Sequence, residues 1–197
     1  MTTFWWIRHA PVVGNNDCCY GSNEVNCDIS DQKKFKKIAS LLPKQAKVFC
    51  SPLSRAIKTY EAVSNNGFII KDYFLDDRLV EQNLGDWTGM KYKELEKLTE
   101  KLKVSSDSWL MSPKHTPPGG ESFIDLKKRV KSFLKETIKN YFAENIIIFS
   151  HGGAIRAALS IALEYNEDRV LPVSIDNSSI TRVSYYDKIW RVENINV

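Results

Sequence analysis

The sequence predicts an α/β fold: a mostly parallel sheet covered by helices on both faces (a three-layer α/β/α sandwich), with an antiparallel edge. Three observations predict it. Short apolar runs alternate along the chain with longer amphipathic stretches, the pattern of strand–helix–strand crossovers. Two of the short runs are pronounced: Phe4-Trp5-Trp6-Ile7 reads as a buried strand, and Asn145 to Phe149 gives the strongest strand signal in the chain. The C-terminus closes with two β segments, Ile180 to Tyr186 and Trp190 to Ile195, joined by an Asp187-Lys188 turn.

The elements follow in order. After the first strand, a loop rich in Gly, Asn and Asp runs from Gly14 to Asn26. Ser30-Asp31 then caps a helix with Phe35, Ile38, Ala39, Leu41 and Leu42 on its apolar face, and Pro43 stops it. Lys47 to Cys50 is a second strand, and Ser51-Pro52 opens a helix reaching about Val63. Phe68 to Lys71 reads as a short third strand, and Lys91 to Leu110 as a helix. A Pro- and Gly-rich loop around Met111 to Gly120 precedes a long helix, Ser122 to Tyr141, with Phe123, Leu126, Val130, Phe133, Leu134 and Ile138 on one face. A helix from Gly153 to Leu163 follows the strongest strand. No repeat or linker divides the chain, so residues 1–197 are expected to form one domain.

Composition narrows the function classes. At 43% hydrophobic and 26% charged residues the chain reads as a soluble globular protein. No apolar run is long enough to span a bilayer, and the N-terminus lacks the basic region and cleavage site of a signal peptide, so a cytoplasmic location is expected. The net charge of +4 is too mild to imply nucleic acid, and the lysine clusters fall at helical spacing, as on solvated helix faces. Four cysteines (Cys18, Cys19, Cys27, Cys50) lack zinc-site or redox-pair spacing and are expected to be reduced, with Cys50 in the core.

The chemistry-bearing residues gather at strand ends. His9 follows the first strand with Arg8 between, and His151 follows the Asn145–Phe149 strand with Ser150 between and Gly152-Gly153 after it. Ligands of open α/β sheets bind at the carboxyl ends of strands, so two histidines placed alike face one pocket if their strands are neighbours. Arg55 lies in the first turn of the helix opened by Ser51-Pro52, where a guanidinium can fork onto two phosphoryl oxygens beside a helix N-terminus. Glu81 stands in a loop-like segment ending Gly85-Asp86-Trp87-Thr88-Gly89, where a carboxyl near cationic groups can act as a proton donor. His115 has no visible partner and is given no catalytic role.

Arg8-His9-Ala10-Pro11, Cys19-Tyr20-Gly21, Ser51-Pro52-Leu53-Ser54-Arg55-Ala56, Glu81 through Gly89, Pro118-Gly119-Gly120-Glu121-Ser122 and Ser150-His151-Gly152-Gly153 together resemble, in register, the histidine phosphatase superfamily, also called phosphoglycerate mutase-like. The resemblance is nearest to its short phosphatase branch, including α-ribazole phosphatase-like proteins. It implies that His9 is the nucleophile, that Arg8, Arg55 and His151 neutralise phosphoryl charge, and that Glu81 protonates the leaving oxygen. It also implies that Asn15 contacts phosphate and that Tyr20, Gly21 and Gly152 line the ligand pocket. Ala10 replaces the family's usual glycine after the nucleophile, and Glu81-Gln82-Asn83-Leu84-Gly85 lacks the arginine and tyrosine that mutases carry around the acid. The implied activity is therefore a metal-independent, cofactor-free phosphatase acting on a small phosphorylated metabolite. Mutase-type phosphoryl transfer and a non-catalytic phospho-ligand binding module are the alternatives. Residues 91–120 are expected to form an insertion capping the pocket, and oligomeric state is left open.

Overall fold

A computed structural model describes residues 1–14, 17–70, 72–106 and 109–197. Its sheet has six strands: β1 (Thr2–Arg8), β2 (Lys47–Cys50), β3 (Phe74–Leu75), β4 (Asn145–Ser150), β5 (Ile180–Tyr186) and β6 (Ile189–Asn194). Their order is β3-β2-β4-β1-β5-β6. The first four in that order are parallel, and β5 and β6 add the antiparallel edge. The α/β prediction holds.

Side chains alternate across β4. Ile146 and Ile148 enter a core beneath α4 (Phe123–Asn140) and α5 (Gly152–Ala162), while Ile147 and Phe149 enter a second core with residues of α1 (Gln32–Leu41) and α2 (Ser54–Asn65). This two-sided burial is why the strand reads as one apolar run. On α4 the buried residues Phe123, Leu126, Val130, Phe133 and Leu134 form one stripe, each contributing about 1.5–3 kcal/mol when withdrawn from water. Ser122 and Asp125 close a capping box at its start, as Asp31 caps α1. A third small cluster, Cys19, Trp87, Leu95 and Met111, anchors the loops around α3 (Tyr92–Lys101).

Three expectations are corrected. The third strand is Phe74–Leu75, not Phe68 to Lys71. Phe68 instead donates its N–H to Val63 O (3.3 Å) at the end of α2, after Gly67 turns at φ 106°, and its side chain is buried in the α1/α2 core. α3 ends at Lys101 rather than running to Leu110: Leu102 caps it, Lys103 takes φ 56°, and Val104 N bonds back to Thr99 O. Leu41 is exposed, because the buried face of α1 is carried by Phe35 and Ile38. A four-residue helix, α6 (Glu167–Val170), was not anticipated. Among the described residues no helix is long and apolar enough to cross a membrane.

Two glycines fix the loop that follows the sheet. At Gly85, φ is 52° and an added Cβ would lie 2.0 Å from Pro118 O; at Gly120 it would lie 2.5 Å from Asn83 O. The two backbones therefore touch, tied by Asp86 N to Pro118 O (2.9 Å) and Glu121 N to Asn83 O (2.8 Å). Arg129 of α4 completes the clamp, donating to Val80 O (2.7 Å), Glu81 O (3.1 Å) and the Glu121 carboxylate (2.6 Å). The segment carrying Glu81 is thus held by two separate parts of the chain.

Candidate active site

β2, β4 and β1 are adjacent and parallel, so their carboxyl ends bring Ser51, His151 and His9 side by side. The ladder continues past the strands through His9 N to Ser150 O (3.0 Å) and Ser51 N to Phe149 O (2.9 Å). The imidazoles of His9 and His151 stand with ring centroids 5.2 Å apart, both fully buried.

His9 Nδ1 lies 2.7 Å from Ala10 O. A carbonyl only accepts, so Nδ1 carries the hydrogen and Nε2 presents its lone pair, with no protein partner. Burial pushes the His9 pKa down to about 3; the Ala10 carbonyl opposes the shift, and the charges of Arg55 and Arg8 add to it. The ring is neutral at physiological pH and armed at Nε2. For His151, Nε2 is 2.7 Å from Ser51 Oγ, which also accepts the Leu53 N–H. The hydroxyl hydrogen is free for Nε2, and the ring proton then sits on Nδ1, buried and unpartnered. Burial first, then the Arg55 and His9 charges, holds His151 well below its ordinary pKa.

Arg55, fully buried, donates through Nη1 to Asn23 O (2.7 Å) and through Nη2 to Gly21 O (2.8 Å), with Cζ 5.2 Å over the Tyr20 ring. It shapes the loop around Tyr20 and keeps Nε unpartnered. Arg8 donates through Nη1 to Ile175 O, and its Nε is also buried without a partner. Among the described residues the cluster therefore holds one buried, unpartnered lone pair, on His9, and three buried, unpartnered N–H donors, on Arg8, Arg55 and His151. Each buried orphan costs about 1–3 kcal/mol, a cost that a ligand bringing oxygen acceptors to these donors would relieve.

Glu81 accepts the Gly153 N–H on Oε2 (3.1 Å) and the Gln82 N–H on Oε1 (2.9 Å). Gly153 lies in the first turn of α5, whose N–H groups have no partner within the helix. A Cβ on Gly153 would lie 2.1 Å from Glu81 Oε1, so the second glycine after His151 is what admits the carboxylate. Beside the cluster opens a cavity of about 290 Å³ that meets it at Arg8, Glu81 and Gly152 and is walled by Tyr92, Trp109 and Met111. Tyr20 and Gly21 line it, while His9, Arg55 and His151 are not on its wall.

Five residues assigned from the sequence, Arg8, His9, Arg55, Glu81 and His151, thus converge, with Tyr20, Gly21 and Gly152 beside them. Asn15 lies outside the described residues. His115 stacks on Trp87 (5.1 Å, 22°), away from the imidazole pair. Sequence reasoning missed Ser51, although it follows its strand as His9 follows β1. It also missed Arg156, which lines the cavity one helical turn after Gly152. Among the described residues no group of three or more His, Cys, Asp or Glu is arranged to hold a metal ion.

The depressed histidine pKa values set an acid sensitivity. Between about pH 3 and 6.5 the unfolded chain binds protons that folded His9 refuses, so stability rises with pH across that window and is lost as pH falls. The effect of His9 at pH 4.5 is on the order of 2 kcal/mol. Urea unfolding of wild type and His9→Gln at pH 7 and 4.5 is expected to show the smaller midpoint loss in the variant. Equal losses would contradict the buried neutral ring.

Fold and site together bring paired imidazoles and two guanidinium groups to the carboxyl ends of neighbouring parallel strands. The chain belongs to the histidine phosphatase superfamily (branch 1), whose pattern matches residues 4–197. It is 32% identical over 141 residues to the bifunctional protein Rv2228c of Mycobacterium tuberculosis; the match takes in 72% of this chain and 37% of that relative, so the chain spans well under half of its length. It is 29% identical over 200 residues to the metal-independent phosphoserine phosphatase of Arabidopsis thaliana, covering 98% of this chain and 81% of that one. The fold matches an Escherichia coli protein provisionally described as an α-ribazole-5′-P phosphatase, with a TM-score of 0.82 at 20% identity over 100% of this chain and 98% of that one.

Proposed function

We propose that the protein hydrolyses small phosphate monoesters through a phosphohistidine on His9. One observation carries this: a buried lone pair on His9 Nε2 beside three unpartnered buried donors, a complement of phosphorus and its three equatorial oxygens. His9 Nε2 attacks phosphorus in line while Ala10 O holds the Nδ1 hydrogen, keeping the tautomer through the reaction. Arg8, Arg55 and His151 donate to the equatorial oxygens, and losing one such donor typically costs about 3–4 kcal/mol. Glu81, in its acid form, gives its proton to the departing alkoxide. The resulting carboxylate takes a proton from water as that water attacks the phosphohistidine, releasing phosphate and restoring both residues. The two guanidinium groups supply the charge a divalent ion supplies elsewhere, with His151 as a further donor, so turnover is expected in chelator. The segment 91–120, through Tyr92, Trp109 and Met111, caps the pocket in this reading.

The test is phosphate release from a panel of phosphorylated metabolites in the presence of chelator, followed by rapid quench of a labelled substrate. The expected phosphoenzyme is labile in acid and stable in base. A label stable in acid would mark a serine or threonine ester and overturn the assignment.

A further inference from the structure

We infer that the cavity selects monoesters whose alcohol carries a carboxylate close to the ester, and that Arg156 is the residue that reads it. This rests on the phosphatase reading above.

Arg156 is anchored at both ends of its guanidinium. Nε donates to Val173 O (2.8 Å), and Cζ lies 5.0 Å from the centroid of the Trp109 ring, which flanks one face. Among the described residues Arg156 makes no other side-chain hydrogen bond to protein, so the Nη groups are left to the cavity that it lines. The group is thus prepositioned with spare donors, the condition under which a fork binds a planar carboxylate well. Its position says which part of the ligand it meets. A Cβ built on Gly152 would lie 3.3 Å from Arg156 Nη1 and 3.5 Å from Arg8 Nε, so both guanidinium groups approach that glycine. The charge of Arg8 acts on both imidazoles, whereas the electrostatic neighbours of Arg156 are Glu81, Arg8 and Tyr92.

Arg156 therefore lies on the side where Glu81 meets the leaving oxygen. A ligand bound at His9 extends its alcohol past Glu81 towards Arg156. The remaining walls combine apolar surface from Leu84, Leu95 and Met111 with the polar side chains of Tyr20, Gln82 and Tyr92. In a volume of about 290 Å³ a short hydroxy acid gives the Nη donors a charged, fork-matching acceptor that a neutral sugar lacks.

The experiment compares two esters that differ in one group: 3-phosphoglycerate, with a carboxylate, and glycerol 3-phosphate, with a hydroxymethyl in its place. p-Nitrophenyl phosphate serves as a wild-type control for the underlying activity. For the wild type, kcat/KM is expected to favour the acid by about 30-fold or more, as for a charge-assisted pair. In Arg156→Gln this preference is expected to collapse towards unity, and Arg156→Lys should recover part of it. Should Arg156→Gln fail to fold, the wild-type ratio and the lysine variant still decide. A wild type that turns over p-nitrophenyl phosphate without preferring the acid, or a preference that survives in Arg156→Gln, overturns the carboxylate assignment alone. A wild type that hydrolyses none of the three esters overturns the phosphatase reading and this inference with it.

Discussion

His9→Ala is expected to lower kcat by about four orders of magnitude or more and to abolish the phosphoenzyme, since no other group can take over covalent transfer. The ring is fully buried and its Nε2 has no protein partner, so its loss removes the attacking atom without breaking a hydrogen bond from that nitrogen. Arg8, Arg55 and His151 keep their anchors at Ile175 O, the Gly21 and Asn23 carbonyls and Ser51. The variant should therefore fold, show wild-type far-ultraviolet circular dichroism and still bind inorganic phosphate. This separates the enzyme from a phospho-ligand binding module, for which wild type and variant would be equally inert. Substantial turnover by a folded His9→Ala protein would remove His9 from the chemistry.

The sequence was most informative where position alone constrains chemistry. His9 and His151 are legible because each follows an apolar run that can only be a buried strand, and the topology puts β1 beside β4. Arg55 is legible for the same reason on β2. Glu81 is different: its loop has no periodicity, and what fixes it is the backbone contact of Gly85 with Pro118 and the Arg129 clamp, pairings between residues 33 to 51 positions apart that no local pattern announces. The same blindness to tertiary context explains the misread segments. Phe68 to Ile70 has strand-like composition, yet Gly67 turns the chain into a helix cap there, and the pairing with β2 falls to Phe74–Leu75. α3 stops early because Thr99 O accepts from Val104, which turns the chain towards the cavity wall at Trp109. Arg156 escaped notice because an arginine on an amphipathic helix ordinarily reads as solvated; only its place one turn after Gly152 points it inward.

Gly153→Ala is expected to act as a lesion of the acid rather than of the fold. The added methyl would meet Glu81 Oε1 at 2.1 Å and Leu126 Cδ2 at 3.1 Å. Leu126 is fully buried beneath α5 and yields little, whereas the carboxylate ends a flexible side chain, so Glu81 is the group that moves. Alanine favours helix over glycine by about 1 kcal/mol, which offsets the crowding, and Tm should stay near the wild-type value. Displacement of Glu81 removes both duties proposed for it, and each loss leaves a distinct kinetic mark. Phosphorylation by an alkyl phosphate needs the leaving alkoxide protonated, so that step should slow by about 10²–10⁴-fold. Phosphorylation by p-nitrophenyl phosphate releases a stabilised phenolate that leaves unaided, so a burst of nitrophenol should persist. Hydrolysis of the phosphohistidine then lacks its base, and phosphoenzyme should accumulate after that burst. Glu81→Gln should show the same pair of effects without the added methyl. Equal slowing of the first step for both esters, or a burst with no accumulated phosphoenzyme, would mean that the carboxyl held by Gly153 is neither the acid nor the base.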